Sequence, residues 1–274
     1  MASSAFPNNA SHSTASPAAP EPAVVLTGLS FSWPDGTAVL SEIDAVLSTG
    51  RTGLIGDNGA GKSTLLRLIA GRLTPESGSI RATGRVGYLP QQLTLQTGAS
   101  LASLLGVDGR LAALRAIESG DTDPVHFETI GDDWDIVERS RALLDEAGLT
   151  GLELDRPVGT LSGGETMLGA LLGRRLAGDD IVLLDEPTNN LDRDARHRLY
   201  TMIEQWRGTL IVVSHDVALL DRLEHTAELH RTALTCYGGG YTAYREYLAQ
   251  QQAAARQALR TAEQQLRSQY RLRD

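Results

Sequence analysis

The chain has 274 residues, a formal net charge of −9, 41% hydrophobic and 22% charged residues, enough apolar chain for a globular core in one large domain or two small ones. The acidic balance excludes a general nucleic-acid coat while leaving room for a local basic patch. A single cysteine, Cys236, excludes an intramolecular disulfide or cysteine-built zinc site, and with no apolar run near the ~20 residues of a bilayer span and no basic N-terminal leader, the expectation is a cytoplasmic protein.

Residues 1–22 are Ala, Ser, Pro and Asn with little that is bulky and apolar. They cannot bury enough surface to offset ordering entropy and predict a disordered tail. From Ala23 the pattern changes. Val24-Val25-Leu26 reads as a strand, Pro34-Asp35-Gly36 as a turn and Ala38–Leu47 as a second strand. Thr52–Ile55 is a short buried strand that runs into a glycine-rich turn. Ser63–Ala70 is helical, with Gly71 as its stop, and Arg85–Leu89 is a strand halted by Pro90. From about Leu93 the periodicity turns helical, at Leu101–Leu105, Arg110–Ile117 and Trp134–Ala147, with Gly148 as a stop. This predicts a helical subdomain, about 93–177, inserted into an α/β one.

A helix follows Gly164. Ile181–Asp185 is an apolar strand ending in acid, Arg193–Trp206 a helix and Leu210–Val213 a second apolar strand. Continuous apolar strands alternating with helices indicate an α/β fold with a parallel sheet covered on both faces. Tyr241–Asp274 contains no Gly or Pro and predicts one helix roughly 50 Å long. With no capping signal at its end, it reads as the start of something longer.

Gly56-Asp57-Asn58-Gly59-Ala60-Gly61-Lys62-Ser63 matches G-x-x-x-x-G-K-[ST] between a predicted strand and a predicted helix, the context a phosphate loop requires. Glycines let consecutive N–H groups turn inward around a phosphate, and the helix N-terminus adds a favourable field. Lys62 would reach the β- and γ-phosphates of ATP, Ser63 would ligate Mg²⁺, and Thr64 adds a hydroxyl to the cradle. Of 25 basic residues, Lys62 is the one lysine; a compact ammonium fits where a planar guanidinium does not.

Asp185-Glu186 end a buried strand, where ligands of open α/β sheets bind. Two acids there alone read as a helix N-terminal charge pair. Beside a phosphate loop they read as a Mg²⁺ carboxylate, Asp185, and a catalytic water-polarising group, Glu186. His215 follows the other apolar strand and could contact a γ-phosphate. Ser162-Gly163-Gly164-Glu165 opens a helix and is either a cap or a second anion site.

Together these segments resemble the ABC ATPase domain, a P-loop NTPase, over almost all of residues 24–240. The resemblance makes Gln91 the Q-loop glutamine, a catalytic and Mg²⁺-side residue. It makes Leu161–Glu165 the signature, with Ser162, Gly163 and Gly164 as nucleotide contacts, and Asn190-Leu191-Asp192 the D-loop, with Asp192 in the nucleotide site. Trp33 stands where the family stacks a Tyr on adenine; a flat aromatic still stacks, and the choice of adenine over guanine stays open. The family sandwiches ATP between the phosphate loop of one domain and the signature of a second, so a second ATPase domain is an expected partner.

Glu186-Pro187-Thr188-Asn189-Asn190-Leu191-Asp192 resembles the E-P-T-N-x-L-D of the ABC-F class, and Tyr237–Tyr244 leading into a long helix is similar to it too. That class has two ATPase domains on one chain, no membrane segment and a ribosomal target. The resemblance implies an ATPase domain at 23–240, the start of an interdomain linker at 241–274, and a ribosome-bound role in translation or antibiotic resistance. Arg256, Arg260, Arg267 and Arg271 fall within about 60° on a helical wheel, interrupted by Glu263, and can track RNA phosphates or form a solvated face. Two other readings remain. One is the ATP-binding subunit of a membrane transporter, which the long Arg-bearing helix disfavours; the other is a non-hydrolysing pairing module, which Glu186 and His215 disfavour.

Overall fold

The computed structural model describes residues 21–93 and 98–271. Two sheets form the frame. β1 (Pro22–Ser32), β2 (Ala38–Ser48) and β4 (Ser77–Ala82) make an antiparallel sheet in the order β2-β1-β4. β3 (Arg51–Ile55), β5 (Val86–Leu89), β6 (Ile181–Asp185), β7 (Thr209–Val213), β8 (His225–His230) and β9 (Ala233–Gly238) make the larger sheet in the order β5-β6-β7-β3-β8-β9. Its first five strands in that order run parallel; β9 returns antiparallel to β8.

Strand alternation divides the core. Val182, Leu184, Leu210 and Val212 face one side, where they share a core with α2 (Leu101–Leu105), α3 (Asp108–Glu118), α5 (Ile136–Glu146), α6 (Gly163–Ala177) and α7 (Arg193–Glu204). Ile181, Leu183, Ile211 and Val213 face the other, against α1 (Lys62–Ile69) and the antiparallel sheet. The parallel sheet is therefore covered on both faces as its apolar strands require. One cover, however, is largely β-sheet, built by β1 and β2. Between α3 and α5 lies the short α4 (Pro124–Ile130), with Asp123 as its cap and Pro at its first position.

Several local expectations shift. Pro22 belongs to β1, where it pairs with Ser48, and the carbonyl of Glu21 accepts from Thr49 N–H at 2.8 Å. A proline is tolerated as the first residue of a strand because the ladder bond it cannot donate is dispensable there. The rest of the expected disordered tail, 1–20, lies outside the described residues. The strands Ser77–Ala82, His225–His230 and Ala233–Gly238 are additions, as are α4 and α8 (Val217–Leu220). β4 in particular is mostly exposed and polar, so no apolar run announces it.

The last helix, α9 (Tyr241–Arg271), is tied down at its base. The N–H and hydroxyl of Thr242 donate to the two oxygens of Asp221 at 2.6 and 2.7 Å, and Tyr244 OH donates to Glu228 at 2.5 Å. From Ala249 to Ala262 every residue is exposed, so the helix leaves the body after Leu248. Arg256 and Arg260 are among those exposed residues; the side chains of Glu263, Arg267 and Arg271 and the whole of 272–274 lie outside the described residues. Among the described residues no helix is long and apolar enough to cross a membrane.

Leu54, fully buried in β3 between β7 and β8, carries the sheet on which the site is built. Leu54→Ala is expected to destabilise the chain by about 2–5 kcal/mol, measured by chemical denaturation; a loss under about 1 kcal/mol would show that this strand is not the packed centre.

Candidate functional site

β3, β5, β6 and β7 all end on one edge of the parallel sheet, and each delivers a site segment there. Gly56–Lys62 follows β3, Gln91 follows β5, Glu186 follows β6 and His215 follows β7. This is the carboxyl edge where open α/β sheets bind ligands.

The loop after β3 is wound by three glycines with positive φ: Gly56 (147°), Gly59 (80°) and Gly61 (99°). A Cβ on Gly56 would lie 2.5 Å from the Leu229 carbonyl, and one on Gly61 would lie 2.6 Å from Val39. The turn is thus closed to any larger residue on both steric and conformational grounds. Lys62 opens α1 and is 8% exposed. Its ammonium donates to the carbonyls of Gly56 at 2.8 Å and Asp57 at 3.0 Å. An ammonium has three donors, so one remains for a phosphate oxygen.

Ser63 donates to Asp185 Oδ1 at 2.9 Å across 122 residues of sequence. Asp185 is 2% exposed, and among the described residues it has no ion pair. A hydroxyl and a buried, unneutralised carboxylate are the hard oxygen donors Mg²⁺ takes. No group of three or more His, Cys, Asp or Glu forms a metal cage among the described residues. The other Asp185 oxygen accepts from Tyr88 OH at 3.2 Å. Burial raises the Tyr88 phenol above its ordinary pKa and the Asp185 charge adds to this, against an opposing Arg67; Tyr88 therefore stays a proton donor.

Glu186 sits in the left-handed region with φ 50°, an unfavourable conformation for a non-glycine residue and one that concentrates at functional sites. His215 holds it from two sides: Nε2 lies 3.4 Å from Oε1, and the backbone N–H donates to Oε2 at 3.3 Å. Burial raises the Glu186 pKa above 4.5, with His215 the main opposing influence and Asp185 acting in the same sense as burial.

These groups line one cleft of about 480 Å³: Trp33, Asn58, Gly59, Gly61, Lys62, Ser63, Thr64, Gln91, Glu186 and His215. Gly56, Ala60 and Asp185 do not line it; Gly56 lines a neighbouring cavity with Lys62 and His215. Trp33 meets Phe31 edge-on at 5.1 Å between ring centroids, which leaves its indole at the cleft wall. Arg231 and Asn189 line the cleft as well; Asn189 belongs to the Glu186–Asp192 motif, whereas Arg231 carries no motif signal and arrives through the β8–β9 turn. A second cavity of about 330 Å³ between α5, α6 and α7 contains none of these residues.

Ser162, Gly163, Gly164 and Asp192 do not line the cleft. Ser162 and Glu165 form a reciprocal capping box on α6. A Cβ on Gly163 would lie 3.6 Å from the Asn190 carbonyl, and one on Gly164 would lie 2.4 Å from Ala195, so the signature packs on the segment Asn190–Ala195 of its own chain. Asp192 caps α7 through the Ala195 N–H at 2.8 Å.

A phosphate loop after the central β3, with a buried carboxylate and a strained glutamate at adjacent strand ends, defines a P-loop nucleoside triphosphatase. The description "ABC transporter" matches residues 41–189, more than half of the chain. The chain belongs to the ABC transporter family of ATP-binding domains, a family that hydrolyses ATP. The tylosin resistance ATP-binding protein TlrC of Streptomyces fradiae is 38% identical over 77% of this chain and 43% of its own length. The probable ATP-binding protein YheS of Escherichia coli K12 is 32% identical over 78% of this chain and 36% of its own. These relatives are of the ABC-F type that Glu186–Asp192 resembles, and the chain spans less than half the length of either. A solved ATP-binding subunit of an ABC transporter superposes with a TM-score of 0.62 over 83% of this chain and 93% of its own, at 24% identity. That likeness is one of fold.

Lys62→Ala is expected to abolish tight ATP–Mg²⁺ binding, because it removes the ammonium that the motif assigns to the β- and γ-phosphates. Binding within a factor of about two of wild type, by titration calorimetry, would remove the loop from the nucleotide site. A second expectation concerns pH. Read as the water-polarising group, Glu186 would work only as a carboxylate, so hydrolysis by the complete protein is expected to fall as pH drops through its raised pKa. His215 lowers that pKa, so His215→Ala should move the acid limb of the rate profile to higher pH. A limb that stays in place or moves to lower pH would disprove the coupling.

Proposed function

We propose that this chain is the ATPase domain, residues 23–240 with a helical subdomain at about 93–177, of an ABC-F-type protein that acts on the ribosome. In this reading residues 241–274 begin the linker to a second ATPase domain. The observation that carries the ribosomal reading is α9. It is anchored at Thr242 and Tyr244, leaves the body after Leu248 and presents Arg256 and Arg260 to solvent. A fixed helix bearing guanidinium groups suits an RNA backbone, to which phosphate contacts supply most sequence-independent affinity. The name of the Streptomyces fradiae relative, a resistance protein, supports a role in antibiotic resistance.

The chemistry follows from the cleft. ATP lies with its base on Trp33 and its phosphates in the Gly56–Lys62 loop, where backbone N–H groups and the free donor of Lys62 bind them. Mg²⁺ would supply charge neutralisation at the phosphate oxygens; Ser63, Asp185 and Gln91 are the residues that would hold it. Glu186 orients a water in line with the γ-phosphorus and draws its proton. His215 keeps the Glu186 carboxylate turned toward the cleft and donates to the γ-phosphate. Ser162–Gly164 and Asp192 serve the facing site: the signature of a second ATPase domain closes this cleft, and this chain's signature closes the other's.

Glu186→Gln in the complete gene product is expected to bind ATP and hydrolyse it far more slowly, since an amide keeps the shape but cannot take a proton. Such a protein would stay on the ribosome and halt in vitro translation in the presence of ATP. Translation at the wild-type rate would sink the ribosomal function and leave the ATPase chemistry standing. Recovery of the mutant with a membrane partner would instead support a transporter subunit.

A further inference from the structure

We propose that Tyr88 is a positioning residue for the metal-side carboxylate: its hydroxyl holds one oxygen of Asp185 so that the other faces Ser63 and the divalent cation of a bound nucleotide. The proposal rests on reading Ser63 and Asp185 as the metal-side pair. Nothing in the phosphate-loop or signature motifs marks Tyr88.

The register places it. β5 and β6 run parallel with Tyr88 opposite Leu183, and Asp185 is two residues further along β6. Side chains two apart on a strand share a face, so Tyr88, Leu183 and Asp185 point to the side covered by α1. Tyr88 is 7% exposed and Asp185 2%. Each oxygen of the carboxylate accepts from one hydroxyl, Ser63 at 2.9 Å and Tyr88 at 3.2 Å. Two donors on opposite oxygens fix the rotation of the carboxylate group.

The phenol is itself held. The Arg72 guanidinium lies 5.4 Å from the ring centroid, a cation–π distance, and Arg67 of α1 faces the hydroxyl. A phenol has one proton to give, and Asp185 Oδ2 accepts it at 3.2 Å. When a metal takes the Ser63 hydroxyl as a ligand, Tyr88 is the donor that remains on Asp185. Partners behind metal-side carboxylates orient them, and their loss typically lowers metal affinity. Tyr88 also stands three residues before Gln91, so one strand steadies the carboxylate and delivers the cleft glutamine.

The test uses the 274-residue chain, Mn²⁺ as the probe and a non-hydrolysable ATP analogue. Nucleotide affinity is measured in EDTA and in Mn²⁺, and bound Mn²⁺ is counted by electron paramagnetic resonance. For Tyr88→Phe the expected result is unchanged affinity in EDTA and a metal-dependent gain reduced about 10- to 100-fold, the loss of one hydrogen bond to a metal-side carboxylate. In an Asp185→Asn background Tyr88→Phe should add nothing, since the two act through one carboxylate. Full Mn²⁺ retention by Tyr88→Phe, or an equal loss in the Asp185→Asn background, would overturn the proposal. If Asp185→Asn itself keeps the whole metal-dependent gain, the metal-side pair fails, and the proposal with it; that result is distinct from a silent Tyr88→Phe. Should Tyr88→Phe not fold, 3-fluorotyrosine at position 88 keeps the shape and strengthens the donor. It should tighten Mn²⁺ retention, and no change would count against the assignment.

Discussion

The hydrogen bond between Ser63 and Asp185 joins the phosphate loop to the far half of the chain, and the rest of the site depends on it. A carboxylate taken this far from water is costly unless it is paired or hydrogen-bonded. Asp185 has two hydroxyl donors and, among the described residues, no cation. The fold therefore holds a negative charge at the carboxyl edge of the sheet, opposite the helix N-terminus that would receive phosphate. In the proposed function a divalent cation would bridge that charge and the bound phosphate.

The sheet makes this contact reproducible. β7 lies between β6 and β3, with Val213 paired to Asp185 on one side and to Leu54 on the other. A slip of one residue in either ladder would turn Asp185 away from Ser63, because successive strand side chains face opposite sides. Continuous apolar burial of β3, β6 and β7 on both faces is thus a condition of the chemistry as well as of stability. The strain at Glu186 is borne by the same frame: its N–H donates to the Val213 carbonyl at 2.8 Å, and His215 follows that strand.

The signature belongs to a different part of the same argument. Its cap and glycines are satisfied within the chain, against Asn190 and Ala195, so it is a formed surface rather than a loop awaiting order. A preformed helix end outside its own cleft suits the sandwich that the family resemblance implies. The base of α9 is equally formed. Asp221, which holds Thr242, follows the one-turn α8 that begins two residues after His215, and a short stretch of chain joins the cleft to the projecting helix.

The sequence by itself determined the phosphate loop, the acid-ended strand, His215, the helical stretch between Leu101 and Ala147 and the long last helix. In each of these a local pattern is the cause: glycines that permit positive φ, apolar runs of strand length, a chain free of Gly and Pro. Only the tertiary structure decided what lies across the chain from what. β1 and β2 bury apolar residues in one core with α1, and the polar strand Ser77–Ala82 acquires its conformation by pairing with β1. Tyr88 reaches Asp185, 97 residues away in sequence, through the pairing of β5 with β6, and Arg231 reaches the cleft through the β8–β9 turn. Asp192 was legible as part of a motif, yet its carboxylate is engaged at the start of α7. Sequence patterns report what a residue does with its neighbours along the chain. A hydrogen bond between two strand ends depends on sheet order and register, which only the packed chain sets.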